Sequence, residues 1–485
     1  MAHSGLMAAR LEPLRTVQLV PMFWRLAMIL SALVACQVVM VFAACYGLYQ
    51  FFIALPLTPW RKRPPIENRP RHRFAILVFA KDEEQVIGNL LRSLNDQDYP
   101  DRLYDVFVTA DNCVDATARR AAEHGAIVWE RSDQAHIGKG HALRWFFERF
   151  RSQYASKYDA CVVFDADNIV ETGFLSAMNR ELNRGSTIAT GYRMGKNPSS
   201  SWVAGVTTLF WLFQTRFVNR ARMRRDLSCL SVGGTGFMFS LDVLPSGAWN
   251  TSSTSEDIEF ALDQIALGRR VDLVTDAVFY DEQPLKLGQS LSQRYRWTVG
   301  TFQSMVTCLP KLWRAREIDR FTRLDAILFC LGVPIAGINA LVGVAATVLT
   351  LVWTRNWLLV AAMTLGFTLV GCLGIWWVGW LTLRLERAHW AGAWKAVLGF
   401  PVFLATWGLL YVVVLFYRST RWNPTPHTEA LELKTIAARR LIPDTDVVGV
   451  GGDEAGADAV KPATAPSYPR VNPRTRRVAG LALPK

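Results

Sequence analysis

Cys161-Val162-Val163-Phe164-Asp165-Ala166-Asp167 is an apolar run that ends in two carboxylates. With Ala160, this run predicts a buried strand over Ala160–Phe164, and three runs of the same kind precede it: Phe74–Ala80, Asp105–Thr109 and Ala126–Trp129. Helical patterns follow the four runs in turn, at residues 83–94, 115–124, 139–150 and 171–184. Apolar strands that alternate with helices predict βαβ units, a mostly parallel sheet and an α/β, Rossmann-like domain.

The carboxylates that follow two of these runs predict a binding site. Ligands of such sheets bind at the carboxyl ends of the strands, where Asp111 and the pair Asp165 and Asp167 fall. Two carboxylates at i and i+2 can hold Mg²⁺ or Mn²⁺ against a diphosphate. Asp-x-Asp alone is a weak signal, and an Asx turn is the structural alternative for Asp111. Lys139 is a candidate phosphate ligand, with a solvated lysine as the equal alternative.

Two further motifs stand closer to the C-terminus. Ser255-Glu256-Asp257 opens a helical pattern, for which helix capping is the alternative explanation. Gln293-Arg294-Tyr295-Arg296-Trp297 precedes long charge-free segments. A guanidinium can bind two diphosphate oxygens at once, and an indole offers a flat face to a sugar ring. The alternative is an Arg/Trp belt at a membrane interface.

Four charge-free segments predict membrane spans. They cover Leu26–Leu55, Ala326–Thr354, Asn356–Leu383 and Ala396–Tyr417, and each exceeds the roughly 20 residues that a span needs. A signal peptide is the rival for the first, but its apolar core is too long and no cleavage pattern follows. Arg61-Lys62-Arg63 follows instead, and this basic cluster predicts that the next domain is cytosolic.

The charge and cysteine patterns exclude other classes of protein. The net charge of +13 comes from basic residues near the membrane segments, which favours contact with membrane lipids and argues against nucleic-acid binding. Eight dispersed cysteines without a CxxC pair predict neither disulfides nor zinc.

The remaining segments complete the predicted organisation. Ser201–Phe217 and residues 301–317 have the composition of interfacial helices, with a core helix as the alternative. The predicted parts are an N-terminal tail (1–25), a membrane helix (26–55), a basic linker (56–73), the α/β domain (74–300), an interfacial helix (301–320), a membrane region (326–417) and a basic, then disordered tail (418–485).

The basic residues after the last span conflict with a simple count of four spans. One span before the cytosolic domain and three after it place the C-terminus outside, whereas the basic residues Arg418, Arg421, Lys434, Arg439 and Arg440 favour the inside. We expect a cytosolic C-terminus, so one of the three later segments should be re-entrant or interfacial, or the hydropathy pattern misses half of a second hairpin. Ala326–Thr354, which contains Gly332, Pro334 and Gly337, is the segment expected to depart from a full span.

Taken together, the three aspartate sites and the Gln-x-x-Arg-Trp motif resemble the membrane-bound family 2 glycosyltransferases, which include cellulose, hyaluronan, chitin and poly-N-acetylglucosamine synthases. The resemblance covers residues 74–300 and implies a GT-A domain. Ser255 replaces the family's threonine, and the glycine-rich Gly233–Phe239 lacks the cysteine of cellulose synthases. The roles implied by the resemblance are uracil recognition by Asp111, diphosphate binding by Arg296, base catalysis by Asp257 beside Glu256, and acceptor binding by Gln293 and Trp297. The chemistry of the residues adds metal binding by Asp165 and Asp167, and contact with the donor by Lys139 and Asp165.

The resemblance implies an inverting enzyme that uses a nucleotide sugar as its donor and Mg²⁺ or Mn²⁺ as its cofactor. We expect the nucleotide to be UDP. A β-linked polysaccharide is the expected product. Four spans are few for a channel that exports a polysaccharide, so a partner subunit or a homo-oligomer could complete the channel. The alternatives are a transferase that adds one sugar to a lipid, as ceramide glucosyltransferases do, and a catalytically dead membrane scaffold.

Overall fold

The computed structural model describes residues 13–55, 66, 68–244, 248–419 and 435. Within them, eight strands form one sheet in the order β3-β2-β1-β4-β7-β6-β8-β5. The strands are β1 (Phe74–Ala80), β2 (Tyr104–Asp111), β3 (Ile127–Arg131), β4 (Ala160–Asp165), β5 (Ile169–Val170), β6 (Ile188–Gly195), β7 (Phe237–Ser240) and β8 (Asp272–Asp281).

Twelve α-helices accompany the sheet in the described part of the chain. Their bounds are α1 (Pro13–Ala54), α2 (Ile87–Asn95), α3 (Thr117–Glu123), α4 (Lys139–Gln153), α5 (Phe174–Asn183), α6 (Trp202–Phe213), α7 (Arg220–Met223), α8 (Glu256–Ala266), α9 (Leu287–Arg314), α10 (Arg320–Thr354), α11 (Trp357–Leu385) and α12 (Ala393–Phe416).

The four predicted strands form the parallel half of the sheet, β3-β2-β1-β4. Side chains alternate along β1: Ile76 and Val78 lie in the core on one face, and Leu77 and Phe79 in the core on the other. Phe79 pairs with both Thr109 of β2 and Asp165 of β4. The ends of β2 and β4 therefore emerge on either side of β1 at the same edge of the sheet.

The other half of the sheet is mixed, so the expectation of a mostly parallel sheet is only half correct. β7 runs antiparallel to both β4 and β6, whereas β6 and β8 are parallel. β7 is four residues long and enters the sheet directly from the glycine-rich segment. The helices α6 and α7 lie between β6 and β7 in the chain, yet the two strands are antiparallel, so alternation with helices does not predict the direction of β7.

Among the described residues, four helices are long and apolar enough to cross a membrane: Ala27–Ala54 within α1, and α10, α11 and α12. They coincide closely with the four predicted spans, although α1 already begins at Pro13, inside the predicted N-terminal tail. α10 continues through Gly332, Pro334 and Gly337, so the break expected of a re-entrant segment is absent from this helix. The cluster Arg61–Arg63 and the tail beyond residue 419, apart from Thr435, lie outside the described residues.

The two segments predicted to be interfacial are parts of packed helices. Most α6 side chains are buried, and α6 packs against β6 and α12, so this segment is a core helix. Residues 301–314 are the second half of α9, so the predicted domain boundary at residue 300 falls inside a helix. Val306 and Trp313 of that half are exposed.

A buried ion pair joins the sheet domain to the apolar helices. Arg222 of α7 donates to both carboxylate oxygens of Asp325 of α10, at 2.8 and 3.0 Å, and the hydroxyl of Tyr49 of α1 donates to the same carboxylate at 2.8 Å. Removing one partner of such a buried pair leaves an uncompensated charge, which is strongly destabilising. This contact fixes α1 and α10 relative to α7 and the sheet domain.

Candidate active site

One cavity of about 950 Å³ brings together all nine residues that the sequence analysis selected. They are Asp111, Lys139, Asp165, Asp167, Glu256, Asp257, Gln293, Arg296 and Trp297. The cavity begins at the carboxyl ends of the strands and continues between the apolar helices, where Tyr46, Phe329 and Tyr411 line it. We call the part at the strand ends the donor half and the part lined by α1, α6, α9, α10 and α12 the acceptor half, after the roles that the sequence analysis predicts for their residues.

Asp111 ends β2 and forms a buried ion pair with Arg131 at the end of β3. Arg131 Nη1 lies 2.6 Å from Asp111 Oδ1, and the Asn112 amide donates to the same oxygen at 3.0 Å. Burial raises the pKa of Asp111, and the hydrogen bond from Arg131 opposes that rise. Both donors use Oδ1, so Oδ2 can accept a hydrogen bond from a ligand.

Asp165 and Asp167 differ in exposure although they are two residues apart. The Asp165 side chain is 42% exposed to the cavity and pairs with the ammonium of Lys139. Asp167 is buried, accepting from the Asn168 amide and from the backbone N–H of Glu282, both at 3.0 Å. Carboxylate oxygens are the protein ligands that Mg²⁺ and Mn²⁺ prefer. The two carboxylates fit a hard divalent ion.

Lys139 contacts the donor half from two sides. It begins α4, and its ammonium donates to the Gly234 carbonyl at 2.6 Å as well as to Asp165. The lysine therefore joins the Asp-x-Asp turn to the glycine-rich segment, and the alternative of a solvated surface lysine is wrong.

The sequence analysis missed a second ion pair in the donor half, between Arg193 of β6 and Asp281 of β8. Arg193 Nε lies 2.8 Å from Asp281 Oδ2, and its Nη1 donates to the Gly233 carbonyl at 3.0 Å. Burial raises the pKa of Asp281 to about 6 even though Arg193 opposes the rise. The only sequence signal was a basic residue near the end of an apolar run at 188–194.

Glu256 and Asp257 begin α8 and face the cavity. Ser231 Oγ donates to Asp257 Oδ2 at 2.9 Å. Burial, followed by the neighbouring charge of Asp257, raises the pKa of Glu256 to about 7. Burial also raises the pKa of Asp257, and the Ser231 hydrogen bond opposes this rise. Two interacting carboxyl groups with raised pKa values are typical of proton-transfer sites.

Two glycines allow the backbone to approach this pair. Gly234 has a φ of +76°, a conformation that side chains disfavour, and a Cβ there would lie 3.9 Å from the Asp257 carboxylate. Gly300 of α9 packs so closely on the other side that a Cβ would come within 2.2 Å of Ser255 Oγ. Gly300 therefore sets the distance between α9 and the acidic pair.

The Gln-x-x-Arg-Trp motif lies on α9, and its residues divide between two roles. Gln293, Arg296 and Trp297 line the cavity. Arg294 is buried instead, donating to the Phe403 carbonyl at 2.9 Å and to Thr406 Oγ1 at 3.0 Å on α12. Within the described residues, Arg296 forms no hydrogen bond or ion pair, so its guanidinium is available to an anion in the cavity.

Aromatic residues of three helices meet in the acceptor half, and the sequence analysis identified only one of them. The ring of Trp297 lies 5.4 Å from that of Trp211 of α6 and 6.5 Å from that of Trp407 of α12. Arg193 stacks on Trp211 at 3.9 Å. The donor-half ion pair therefore contacts the aromatic wall of the acceptor half directly.

Asp82, Cys113 and Asp115 also bring three ligand atoms within 4.8 Å of one another. Asp82 accepts from the Val114 N–H at 2.8 Å, and Asp115 accepts from the Glu84 N–H at 3.1 Å. These bonds stabilise the turn after β2 and explain the proximity of the groups without an ion.

Comparisons with known proteins agree with this geometry. Residues 70–300 match the family model described as "Glycosyltransferase like family 2". The chain is 23% identical over 319 residues to an N-acetylglucosaminyltransferase of Rhizobium leguminosarum bv. viciae, covering 62% of this chain and 72% of the relative. It is 27% identical over 290 residues to a beta-monoglucosyldiacylglycerol synthase of Trichormus variabilis, covering 54% of this chain and 58% of the relative.

A solved structure shares the fold. A mannosyltransferase from Pyrobaculum calidifontis, determined in complex with GDP-Man and Mn²⁺, superposes with a TM-score of 0.55 at 16% identity, covering 80% of this chain and 99% of that one. Residues 70–300 are therefore a family 2-like glycosyltransferase domain with the GT-A fold, and the described part of the chain adds four candidate membrane helices.

Proposed function

We propose that this glycosyltransferase moves a sugar from UDP to a hydroxyl acceptor with inversion and builds a β-linked polysaccharide at a membrane, with its catalytic domain in the cytosol. The observation that carries the proposal is the single cavity in which Asp257, Arg296 and Trp297 meet the carboxylates of the strand ends. An acid–base pair, an unpaired guanidinium and an aromatic wall are what the transfer of a sugar from a diphosphate needs.

The reaction is one displacement in this proposal. Asp257 takes the proton of the acceptor hydroxyl, whose oxygen forms the new bond to the anomeric carbon. The bond from that carbon to the diphosphate oxygen breaks at the same time, and its electron pair leaves with UDP. Attack opposite the leaving group inverts the configuration. Arg296 and Lys139 neutralise part of the charge that the diphosphate gains.

Asp165 and Asp167 would hold the divalent cation. A bound Mg²⁺ or Mn²⁺ supplies further positive charge beside the diphosphate. Both carboxylates line the cavity next to Lys139, and the Pyrobaculum relative was determined with Mn²⁺.

Asp111 is the proposed base-recognition residue. Its Oδ2 can accept the ring N–H of uracil, and Arg131 keeps the carboxylate in place. The Pyrobaculum relative was determined with a guanine nucleotide, and guanine also presents an N–H to a carboxylate. UDP and GDP should therefore be compared directly.

A second candidate is the addition of one sugar to a lipid. Within the described residues, the acceptor half extends between α1, α10 and α12, where Tyr46, Val333, Ala336 and Tyr411 line it. These side chains lie in candidate spans and suit an acyl chain. The Trichormus relative is a synthase of a glucosyl lipid by name.

The test is transfer by the purified full-length protein in lipid nanodiscs, with radiolabelled UDP-sugars and GDP-sugars, Mg²⁺ or Mn²⁺, and sizing of the products. We expect high-molecular-weight product from a UDP-sugar without added lipid acceptor, and loss of activity in EDTA. A single organic-extractable species that requires a lipid acceptor would replace the polysaccharide proposal with the second candidate. Full activity in EDTA would contradict the metal assignment.

A further inference from the structure

The helix that carries Trp211 changes geometry where it lines the acceptor half. α6 ends at Phe213, and residues Gln214–Asn219 continue it as a π-helix. π-helical turns are rare and are frequent at functional sites. Trp211, Gln214, Thr215, Val218 and Asn219 all line the cavity, so one face of this segment points into it.

Three polar groups on this face have no protein partner. The Trp211 Nε1–H is buried without a hydrogen-bond acceptor, and in the described part of the chain the side-chain amides of Gln214 and Asn219 form no hydrogen bond. Both amides are half-buried. A buried polar group that lacks a partner costs free energy, so the Trp211 N–H calls for a hydrogen-bond acceptor in the cavity, and the two half-buried amides beside it can bind the same polar ligand. We refer to Trp211, Gln214 and Asn219 as the polar face.

The surroundings of the polar face show what this ligand touches. The ring of Trp297 is next to that of Trp211 and is itself next to that of Trp407, and the guanidinium of Arg193, which pairs with Asp281, stacks on the Trp211 ring. The same cavity reaches Asp257. A group bound at the polar face therefore lies between the acidic pair and the apolar helices, on the acceptor's side of the reaction.

We propose that the polar face is an acceptor subsite that selects a group with several hydroxyls, such as a sugar ring, over an acceptor with a single hydroxyl. The inference rests on the proposed function of the same cavity. An amide both donates and accepts hydrogen bonds, and an indole N–H donates. Several hydroxyls on one ring can satisfy all three groups while the ring stacks on Trp297, whereas a lone hydroxyl at Asp257 satisfies none of them.

The experiment compares two acceptors, octyl β-glucoside and dioctanoylglycerol, in the full-length enzyme. The variants are Trp211→Phe, which keeps an aromatic ring but loses the N–H, and the double variant Gln214→Met/Asn219→Leu, which keeps volume but loses the amides. Gln153→Met is the matched control, because Gln153 is exposed at the end of α4 and lies outside the cavity. UDP affinity, measured by calorimetric titration, reports on the donor half separately.

Wild type should prefer the glucoside. The KM for the glucoside should rise about tenfold in the double variant and about fivefold in Trp211→Phe, while UDP affinity and the control stay within about twofold. Preference for dioctanoylglycerol in the wild type, or an unchanged glucoside KM in both variants, would overturn this inference while normal UDP binding leaves the proposed function intact. Absence of UDP binding and of transfer to either acceptor would overturn both.

Discussion

The donor half and the acceptor half of the cavity are built in different ways. The donor half takes its groups from the ends of neighbouring strands, and backbone pairing holds them in register: Asp111 ends β2 and Asp165 ends β4, on either side of β1. The acceptor half takes its groups from separate helices, whose positions depend on side-chain packing. Charge dominates the first half and aromatic surface the second.

This difference separates residues that bind from residues that hold the helices in place. In the donor half each ligand-facing carboxylate has its own partner, such as Arg131 for Asp111 and Arg193 for Asp281. In the acceptor half one helix performs both tasks, since Arg296 faces the cavity while Arg294 attaches α9 to α12. Substitutions can therefore test the two halves independently.

The largest effect is expected where the halves meet, at Asp257. Asp257→Asn should lower the transfer rate by about 10²–10⁴-fold, because a carboxamide cannot take the acceptor proton. UDP affinity should be preserved. The measurement is single-turnover transfer together with calorimetric titration of UDP.

Asp263→Asn is the control for this substitution, since Asp263 lies on the same helix but pairs with Lys311. Its transfer rate should remain close to that of the wild type. A rate near the wild-type value in Asp257→Asn would refute the assignment of the base.

The next effect compares two arginines of one motif. Arg296→Met should raise the Kd for UDP about 10- to 100-fold, because it removes an unpaired guanidinium from the diphosphate. Arg294→Met should lower the melting temperature instead, because Arg294 donates to Phe403 and Thr406 of α12. Thermal denaturation and UDP titration of both variants give the measurement. Equal losses of UDP affinity in the two variants would contradict this division of roles.

The sequence predicted the donor half much better than the acceptor half, for a physical reason. A buried parallel strand has a continuous apolar pattern, and the carboxylate that follows this pattern marks the end of the strand. Asp111 and Asp165 could therefore be assigned to strand ends from the sequence. Trp211 and Trp407 carry no such local signal, because the chain contains 18 tryptophans and those exposed on the candidate spans, such as Trp377 and Trp380, have similar apolar neighbours in the sequence. Only Trp297 stands in a recognisable motif.

The strands and helices show the same limit on what could be predicted from the sequence. The strands β1 to β4 were predicted from apolar runs that alternate with helical segments. In contrast, β7 is only four residues long, and its antiparallel position depends on pairing with β4 and β6. Arg193 was missed with β6, because that strand was not predicted. α6 was assigned to the interface on its composition, although packing against β6 and α12 buries it. Amino-acid composition does not distinguish an apolar helix surface that packs against lipid from one that packs against protein.

A third prediction tests the aromatic wall of the acceptor half. Trp297→Ala should weaken acceptor binding by more than roughly tenfold, because truncating a large aromatic contact costs about 2 kcal/mol. It should also shorten or abolish the product, while UDP affinity stays nearly unchanged. Trp313→Ala is the control, since Trp313 is an exposed tryptophan of the same helix outside the cavity. Product length by gel filtration and UDP titration decide the outcome, and a normal product from Trp297→Ala would contradict the assignment.

The smallest effect concerns the pH dependence set by Ser231. Burial raises the pKa of Asp257, and the hydrogen bond from Ser231 opposes that rise because it stabilises the carboxylate. Asp257 must be ionised to take a proton, so kcat/KM should fall as the pH drops through its raised pKa. Ser231→Ala removes the donor, raises this pKa further and should move the acid limb of the profile to higher pH. The rate at high pH should hardly change, since the base is ionised there in both proteins.

The control is Ser152→Ala, at an exposed serine on α4, which should leave the pH profile unchanged. An acid limb that stays in place or moves to lower pH in Ser231→Ala would show that Asp257 is not the group that titrates.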